Sequence, residues 1–247
     1  MNKQKHKRRR RPVIISSGTA YGTHAQQVYD FYPATGKRFV IVIHGGGFTG
    51  GDKKDFTNAA KHFQSLGYPT ANMNYRLAVP GYPNQVQDVL AMLKHLEQKY
   101  GATEFVLYGH SSGGSLAMLI TLAANKPPAT FGAGYPLVAK IVGAIGTGGV
   151  YDSALLRSRP RQIWTSWANG NADANVIAHA DVNDPRVLIL AGDRDTTGPW
   201  LASKNLNLAL ANSEYHLLKG CTHNGAKLYG TRLNATVAGY VKNYLNG

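Results

Sequence analysis

Two glycine-rich segments of this sequence carry residue types that can attack and hold a carbonyl group. The first reads HGGGF over residues 44–48, and the second reads GHSSG over residues 109–113 and contains Ser111. Each follows a short apolar run that is typical of a buried strand. A G-x-S-x-G segment between a strand and a helix exposes its serine on a sharp turn, and an HGGG loop brings backbone N–H groups to the same place. We therefore expect one segment to supply a nucleophile and the other to supply donors for the oxyanion that its attack creates.

A serine hydroxyl is a weak nucleophile near neutral pH, so this chemistry also requires a histidine base and a carboxylate that orients it. Two later loops supply those groups, and each again follows a predicted strand. Residues 191–196 contain Asp193 and Asp195, and residues 219–225 contain His223. Either aspartate can be the partner of the histidine, because a shift of one residue reverses the direction of a side chain in an extended segment. The sequence thus offers a nucleophile, an acid and a base at the ends of three strands.

Other reactive residue types near these loops have simpler interpretations. His110 directly precedes Ser111, and we expect the turn to direct its side chain away from the nucleophile. Cys221 lies two residues before His223, and a half-buried free thiol is a more common state for such a cysteine than a second nucleophile. No group of His, Cys, Asp or Glu residues has metal-ligand spacing, so the sequence predicts no metal and no cofactor.

Alternating strands and helices must bring these loops together. Eight short apolar segments predict strands, at residues 12–15, 27–32, 39–43, 71–75, 105–108, 141–145, 187–190 and 215–218. Five segments have helical periodicity, at residues 55–66, 86–100, 115–124, 200–211 and 226–245. This alternation predicts an α/β fold with a mostly parallel, eight-stranded, doubly wound sheet, an antiparallel start and helices on both faces. Reactive groups collect at the carboxyl ends of the strands in such sheets, which is where the four loops fall.

Length and charge indicate one domain with a basic N-terminal extension. The 247 residues contain no internal linker or repeat, which predicts one domain over residues 13–247. The formal net charge is +14, and seven of the positive charges lie within residues 1–11. A block of like charges is typical of a solvated, disordered tail, here residues 1–12. We therefore expect no dedicated nucleic-acid binding, and the remaining charge specifies no partner other than a small substrate.

Targeting features favour the cytoplasm. The basic extension resembles the first part of a secretory signal, but no apolar segment of sufficient length follows it. No run approaches the roughly 20 apolar residues of a membrane-spanning helix. Cys221 is the single cysteine, so an intrachain disulfide framework is excluded. The sequence does not indicate an oligomeric state.

Further short motifs accompany the two glycine-rich segments. They are YDFYP at 29–33, Gly51-Asp52 after the HGGGF loop, NYRLA at 74–78, Tyr82-Pro83 with Asp88, GHSSGG at 109–114, GDRD at 192–195 and the histidine at 223. With these motifs in this order, the chain resembles carboxylesterases of the α/β-hydrolase fold. It is similar in particular to the acetyl- and feruloyl-esterase-like group that borders the hormone-sensitive-lipase family and the kynurenine formamidases.

This resemblance implies a role for each candidate residue. Ser111 would be the nucleophile, His223 the general base and acid, and Asp195 the residue that orients the histidine. The family spacing favours Asp195 over Asp193 for that role. The implied oxyanion hole consists of three backbone N–H groups, those of Gly46, Gly47 and Ser112.

The same resemblance predicts the substrate class. The stretch before residue 39 is too short for the helical cap of the lipase-like branch, so we expect no large N-terminal cap and a preference for small esters with acetyl to butyryl groups. Residues 151–182 form a small lid or pocket wall, or else an ordinary surface excursion. Aromatic side chains are candidates for lining the substrate pocket, namely Phe48, Trp164 and Trp200. Two alternatives remain, an arylformamidase or amidase using the same site and a non-catalytic binding protein with this fold.

Overall fold

An eight-stranded sheet organises the protein in a computed structural model that describes residues 16–77, 81–134, 137, 139–228 and 234–247. The strands β1 to β8 are, in chain order, Ser16–Ala20, Val28–Tyr32, Arg38–Ile43, Thr70–Met73, Glu104–His110, Lys140–Thr147, Arg186–Gly192 and Ser213–Leu218. Their order across the sheet is β1-β2-β4-β3-β5-β6-β7-β8. The pairs β1–β2 and β2–β4 are antiparallel, and all pairs from β4 to β8 are parallel. The predicted α/β class, the mostly parallel sheet and its antiparallel start are confirmed.

Within the described ranges, six α-helices cover the two faces of this sheet. Helices α1 to α6 are Thr57–Ser65, Asn84–Tyr100, Ser112–Leu122, Ser158–Ala168, Trp200–Ala209 and Ala235–Asn246. Successive residues of β3 alternate between two apolar clusters, because side chains of a strand point to opposite faces in turn. One cluster packs β3 against α2 and α3, and the other packs it against α1 and α6. Both faces of β3 are therefore buried, which explains its continuous apolar sequence.

The structure differs from the predicted elements at both ends of the chain. The predicted strand 12–15 lies outside the described residues, and the first observed strand, Ser16–Ala20, falls in the segment predicted to be a connection. The predicted helix 226–245 is wrong over its first part, because residues 223–226 form a 3₁₀ turn and α6 begins only at Ala235. Asn234 marks that start, since its side chain accepts a hydrogen bond from the Val237 N–H group.

Helix α4 was not predicted and lies within residues 151–182. Its first turn contains Pro160, a residue that is tolerated at a helix start because the N–H groups there have no partner within the helix. Buried Trp167 near its C-terminus packs into the core cluster of α2 and α3. This segment is thus anchored to the sheet by one face and leaves its first turn near the loops of interest.

Candidate active site

Ser111 lies on the sharp turn between β5 and α3. Its backbone angles are φ 55° and ψ −126°, a combination that residues other than glycine seldom adopt. The Ser111 N–H group donates a hydrogen bond of 2.9 Å to the carbonyl oxygen of Thr147 on β6. A Cβ atom on Gly109 would collide with the carbonyl group of Gly113, and one on Gly113 would collide with that of Ile43. The turn closes because both positions are glycine, and it presents Ser111 at the carboxyl end of the sheet.

The acid loop after β7 and the histidine loop after β8 meet in a hydrogen-bonded Asp195–His223 pair. The Nδ1 atom of His223 lies 2.8 Å from Oδ2 of Asp195, whose side chain is fully buried. The other carboxylate oxygen, Oδ1, accepts hydrogen bonds from the N–H groups of Thr197 at 2.8 Å and Gly198 at 2.9 Å. An acceptor at Nδ1 keeps the proton on that nitrogen and leaves Nε2 free to accept one. The structure thus places Asp195, rather than Asp193, beside the histidine.

The HGGGF loop after β3 lies against the serine turn. A Cβ atom on Gly45 would approach the carbonyl oxygen of His110 to 2.8 Å and the Cβ atom of Ser111 to 3.0 Å. Gly46 and Gly47 have φ angles of 129° and 62°, which favour glycine. The close approach of Gly45 to the serine turn leaves no room for a side chain, and it brings the backbone of the loop beside Ser111.

Two aromatic rings support the HGGGF loop from below. The rings of His44 and Tyr75 stack with their centroids 4.3 Å apart. The Tyr75 hydroxyl donates to the His44 carbonyl oxygen at 2.9 Å, and His44 Nδ1 lies 2.7 Å from the carbonyl oxygen of Gly45. Burial lowers the pKa of His44, so the neutral ring donates its Nδ1 proton to the loop. Tyr75 and His44 therefore fix the loop shape.

The ring of His110 packs against the ring of His223, a contact that the sequence did not predict. The two rings lie 4.8 Å apart between centroids, and His110 Nδ1 lies 2.9 Å from the Thr147 hydroxyl oxygen. Burial, together with the nearby His223 and Lys227, lowers the pKa of His110 to about 3. A neutral ring therefore packs against His223.

Gly148, at the end of β6, is a residue near the site that the sequence reasoning missed. A Cβ atom there would lie 3.1 Å from Oδ2 of Asp195 and 3.2 Å from Nδ1 of His223. Its φ angle of 56° also favours glycine. The absence of a side chain at Gly148 thus lets this loop lie against the Asp195–His223 pair. The signal available was the Gly148-Gly149 pair, which begins three residues after the predicted strand 141–145.

Ser111 lies where two cavities meet. Both are lined by Gly46, Gly47 and Ser111. The larger cavity, of about 950 Å³, extends along the acid loop to the start of α4. The smaller cavity, of about 280 Å³, contains His223 and the residues that follow it, together with Asp55 and Phe56. The nucleophile candidate and the histidine therefore face one shared space.

The three aromatic residues predicted to line the substrate pocket are not among the described residues that line either cavity. Phe48 is 2% exposed and stacks on Trp167 with a centroid separation of 3.8 Å, so its ring packs into the core behind the loop. Trp164 packs against the same core cluster. Trp200, 36% exposed, is the first residue of α5, and its neighbours Pro199 and Leu201 line the larger cavity in its place. Apolar lining of this cavity comes from Leu155, Pro160, Ile163, Pro199 and Leu201.

The described residues contain no cluster of three His, Cys, Asp or Glu side chains that could hold a metal ion. Over the same ranges, none of the helices combines the length and the apolar character that spanning a membrane requires.

The fold and the serine turn define an α/β-hydrolase. The model of the BD-FAE family matches residues 30–210, which is most of the chain. The chain therefore belongs to the BD-FAE family of α/β-hydrolase esterases.

Solved structures share this fold at low sequence identity. A truncated carbohydrate esterase from gut microbiota superimposes with a TM-score of 0.77 at 16% identity, covering 95% of this chain and 98% of that protein. Esterase B from Lactobacillus Rhamnosis, in complex with a tributyrin phosphonate inhibitor, superimposes with a TM-score of 0.78 at 20% identity, covering 94% and 84% of the two chains.

One human protein also matches part of the sequence. Arylacetamide deacetylase-like 2 from Homo sapiens is 37% identical over 99 residues, which are 35% of this chain. The match spans about a quarter of the human protein, 24% of its length.

Proposed function

We propose that this protein is a serine carboxylesterase that hydrolyses small esters with short acyl groups, with Ser111, His223 and Asp195 as its catalytic triad. The observation that carries the proposal is the hydrogen-bonded pair of buried Asp195 and partly exposed His223, 2.8 Å between Oδ2 and Nδ1, in which His223 lines the same cavity as Ser111. A carboxylate that accepts two further backbone hydrogen bonds is held in one orientation. Such a carboxylate stabilises the imidazolium that forms during catalysis.

The first half of the proposed reaction forms an acyl-enzyme. Oγ of Ser111 attacks the ester carbonyl carbon while Nε2 of His223 takes the hydroxyl proton. The carbonyl oxygen becomes an oxyanion that accepts hydrogen bonds from the N–H groups of Gly46, Gly47 and Ser112. Each such donor contributes about 3–4 kcal/mol to lowering the barrier. When the C–O bond breaks, His223 returns the proton to the leaving alkoxide, and the alcohol departs.

The second half releases the acid. Water takes the place of the alcohol and attacks the acyl-enzyme carbonyl carbon while His223 accepts one of its protons. The same N–H groups hold the second oxyanion. His223 then protonates Oγ of Ser111 as the C–O bond to the acyl group breaks, which restores the free enzyme.

The two cavities support a division of the substrate at Ser111. We propose that the smaller cavity takes a short acyl group and that the larger cavity takes the alcohol, with residues 151–182 as a wall rather than as a separate lid. Esterase B, a protein of the same fold, is inhibited by a phosphonate derived from tributyrin, a four-carbon acyl ester. That likeness supports an acetyl to butyryl preference for this chain.

Labelling with a fluorophosphonate tests the nucleophile directly. We expect the wild-type protein to be labelled and Ser111→Ala to be unlabelled, with a loss of at least about 10³-fold in kcat on p-nitrophenyl acetate. A series of p-nitrophenyl esters from acetate to decanoate should give its highest kcat/KM at two to four carbons. Equal labelling of both proteins would contradict the triad, and faster turnover of N-formylkynurenine would favour an amidase instead.

A further inference from the structure

Two arginine side chains line the larger cavity together with Ser111. Arg157 and Arg159 flank the first residue of α4, and both are exposed. Their neighbour Arg161 is engaged differently, because it donates hydrogen bonds to the carbonyl oxygens of Leu156 at 2.9 Å and Ala154 at 3.3 Å. Among the described residues, no carboxylate forms an ion pair with Arg157 or Arg159. We call this pair the arginine rim.

The arginine rim gives the larger cavity an unbalanced positive charge. The one acidic residue among its described lining is Asp195, and both of its carboxylate oxygens already accept hydrogen bonds at the His223 pair and the acid loop. The smaller cavity differs, because Lys227 there lies in the field of Asp55. The positive charge without a counter-charge is thus confined to one side of Ser111.

The rest of the larger cavity is mainly apolar. Its walls include Leu155, Ile163 and Leu201, and prolines border the arginine rim and the acid loop. A cavity with this lining favours a ligand with an apolar body and an anionic end. The planar guanidinium group presents parallel N–H donors that match the two oxygens of a carboxylate.

We infer that the alcohol part of the substrate carries a carboxylate, which the arginine rim binds while Ser111 attacks the short acyl ester. This inference rests on the proposed function, since it assigns the larger cavity to the alcohol. An exposed ion pair contributes little on its own, and two arginines acting on one carboxylate give an expected gain of about five- to twentyfold in kcat/KM. Arg157 and Arg159 would then determine specificity without taking part in the chemical steps.

Two esters of equal shape test this inference. The first, 3-acetoxybenzoate, carries a carboxylate on its alcohol part, and the second, 3-acetoxybenzamide, carries a neutral amide there. We expect the carboxylate-to-amide ratio of kcat/KM to fall about tenfold in the double variant Arg157→Gln/Arg159→Gln, because comparing ratios cancels the intrinsic reactivity of the two esters. The matched control Lys204→Gln/Lys242→Gln removes two exposed charges outside the cavity lining, and its ratio should equal that of the wild type.

Three outcomes would overturn the inference. The first is an equal ratio in the wild type and the arginine variant while Ser111-dependent turnover persists, a result that leaves the proposed function intact. The second is a dependence on the arginines only for monomethyl glutarate, whose carboxylate lies on the acyl part.

The third outcome comes from calorimetry on Ser111→Ala. There 3-hydroxybenzoate should bind at least fivefold more tightly than 3-hydroxybenzamide, and equal affinities would contradict the inference. This binding measurement needs no turnover, so a chain that hydrolyses neither ester would contradict the proposed function separately.

Discussion

Asp195 is the most constrained charged residue of the candidate site, with hydrogen bonds at both carboxylate oxygens and a fully buried side chain. In Asp195→Asn the side-chain amide can present its NH₂ group to His223, which favours the wrong tautomer. We expect kcat on p-nitrophenyl acetate to fall by about 10³–10⁴-fold with a small change in KM. Steady-state kinetics, with thermal unfolding as a check on folding, measure this effect.

The same loop provides the matched control. Asp193→Asn makes an identical chemical change two residues away, at a side chain that does not contact His223 in the structure. Its kcat should stay within about twofold of the wild type. Equal losses in the two variants would show that the loop, and not the carboxylate of Asp195, is what turnover requires.

His110 gives the stability of the protein a specific pH dependence. In the unfolded chain its pKa returns to the ordinary value of about 6.5, whereas burial holds it at about 3 in the folded protein. Between these values the unfolded state binds the proton and the folded state does not, so stability falls as the pH falls from 6.5 to 3. This residue alone should remove about 2 kcal/mol of the free energy of unfolding between pH 7 and pH 5.

Urea unfolding of His110→Gln measures that contribution. The variant should be less stable than the wild type at pH 7, because it loses the ring contact with His223. The difference between the two proteins should shrink by about 2 kcal/mol at pH 5, since glutamine does not titrate. A difference that is the same at both pH values would mean that His110 is protonated in the folded protein near pH 6.

At the scale of elements, the loop after β6 sets how closely the acid and histidine loops can meet. In Gly148→Ala the new methyl group would lie 3.1 Å from Asp195 Oδ2 and 3.2 Å from His223 Nδ1. The Asp195–His223 pair would have to shift by a few tenths of an ångström, so we expect kcat to fall at least tenfold. The φ angle of 56° adds a destabilisation of about 1–2 kcal/mol.

Gly170→Ala separates these two effects. Gly170 has a similar φ angle of 76°, and a Cβ atom there would have no atom within 4 Å. It should show the same loss in chemical denaturation and nearly unchanged kcat. A comparable loss of kcat in both variants would mean that Gly148→Ala acts through backbone strain and not through contact with Asp195 and His223.

The sequence predicted the parallel strands well, since their apolar runs are buried on both faces and bounded by glycine or aspartate. It failed where burial is partial. Strand β1 is a half-exposed edge rich in serine and threonine, so it has no apolar pattern to detect. Helix α4 buries two of its residues, among them Trp167. The helical spacing of Ile163, Trp164 and Trp167 was present in the sequence but is confined to its second half, because the first half is polar. Pro160 in its first turn was the available indication of a helix start.

The loops of the site could be predicted because glycine spacing and loop order depend on local backbone geometry. The cavity lining could not, because it depends on how the 151–182 segment packs across the loops. Phe48 illustrates this difference, since its position in the HGGGF loop was evident while its stacking on Trp167 depends on the unpredicted α4. The arginine rim lies at the start of the same helix, so its position at the cavity could not be predicted either.

At the scale of the whole molecule, the sheet order separates the edge strand β1 from the site. Strand β1 is an edge strand, four positions from β5, which leads to Ser111. At about 4.8 Å per strand, this separation is roughly 19 Å. Exposed charges interact weakly beyond the Debye length, which is about 8 Å at physiological ionic strength. A charge at the position of β1 would therefore act only weakly on Ser111.

Deletion of residues 1–11 removes seven positive charges from a net charge of +14 and should leave kcat/KM for a neutral short-acyl ester within about twofold of the full chain. The reason is that the five loops of the site follow β3 and β5 to β8, and each of these strands is at least three positions from β1 in the sheet. Kinetics at 20 and 200 mM salt, on 3-acetoxybenzamide and 3-acetoxybenzoate, measure the effect. If the deletion lowered turnover of the anionic ester alone, and did so mainly at low salt, the N-terminal charges would be steering substrate to the arginine rim across the sheet. A loss on both esters at both salt concentrations would instead make the extension a part of the folded enzyme.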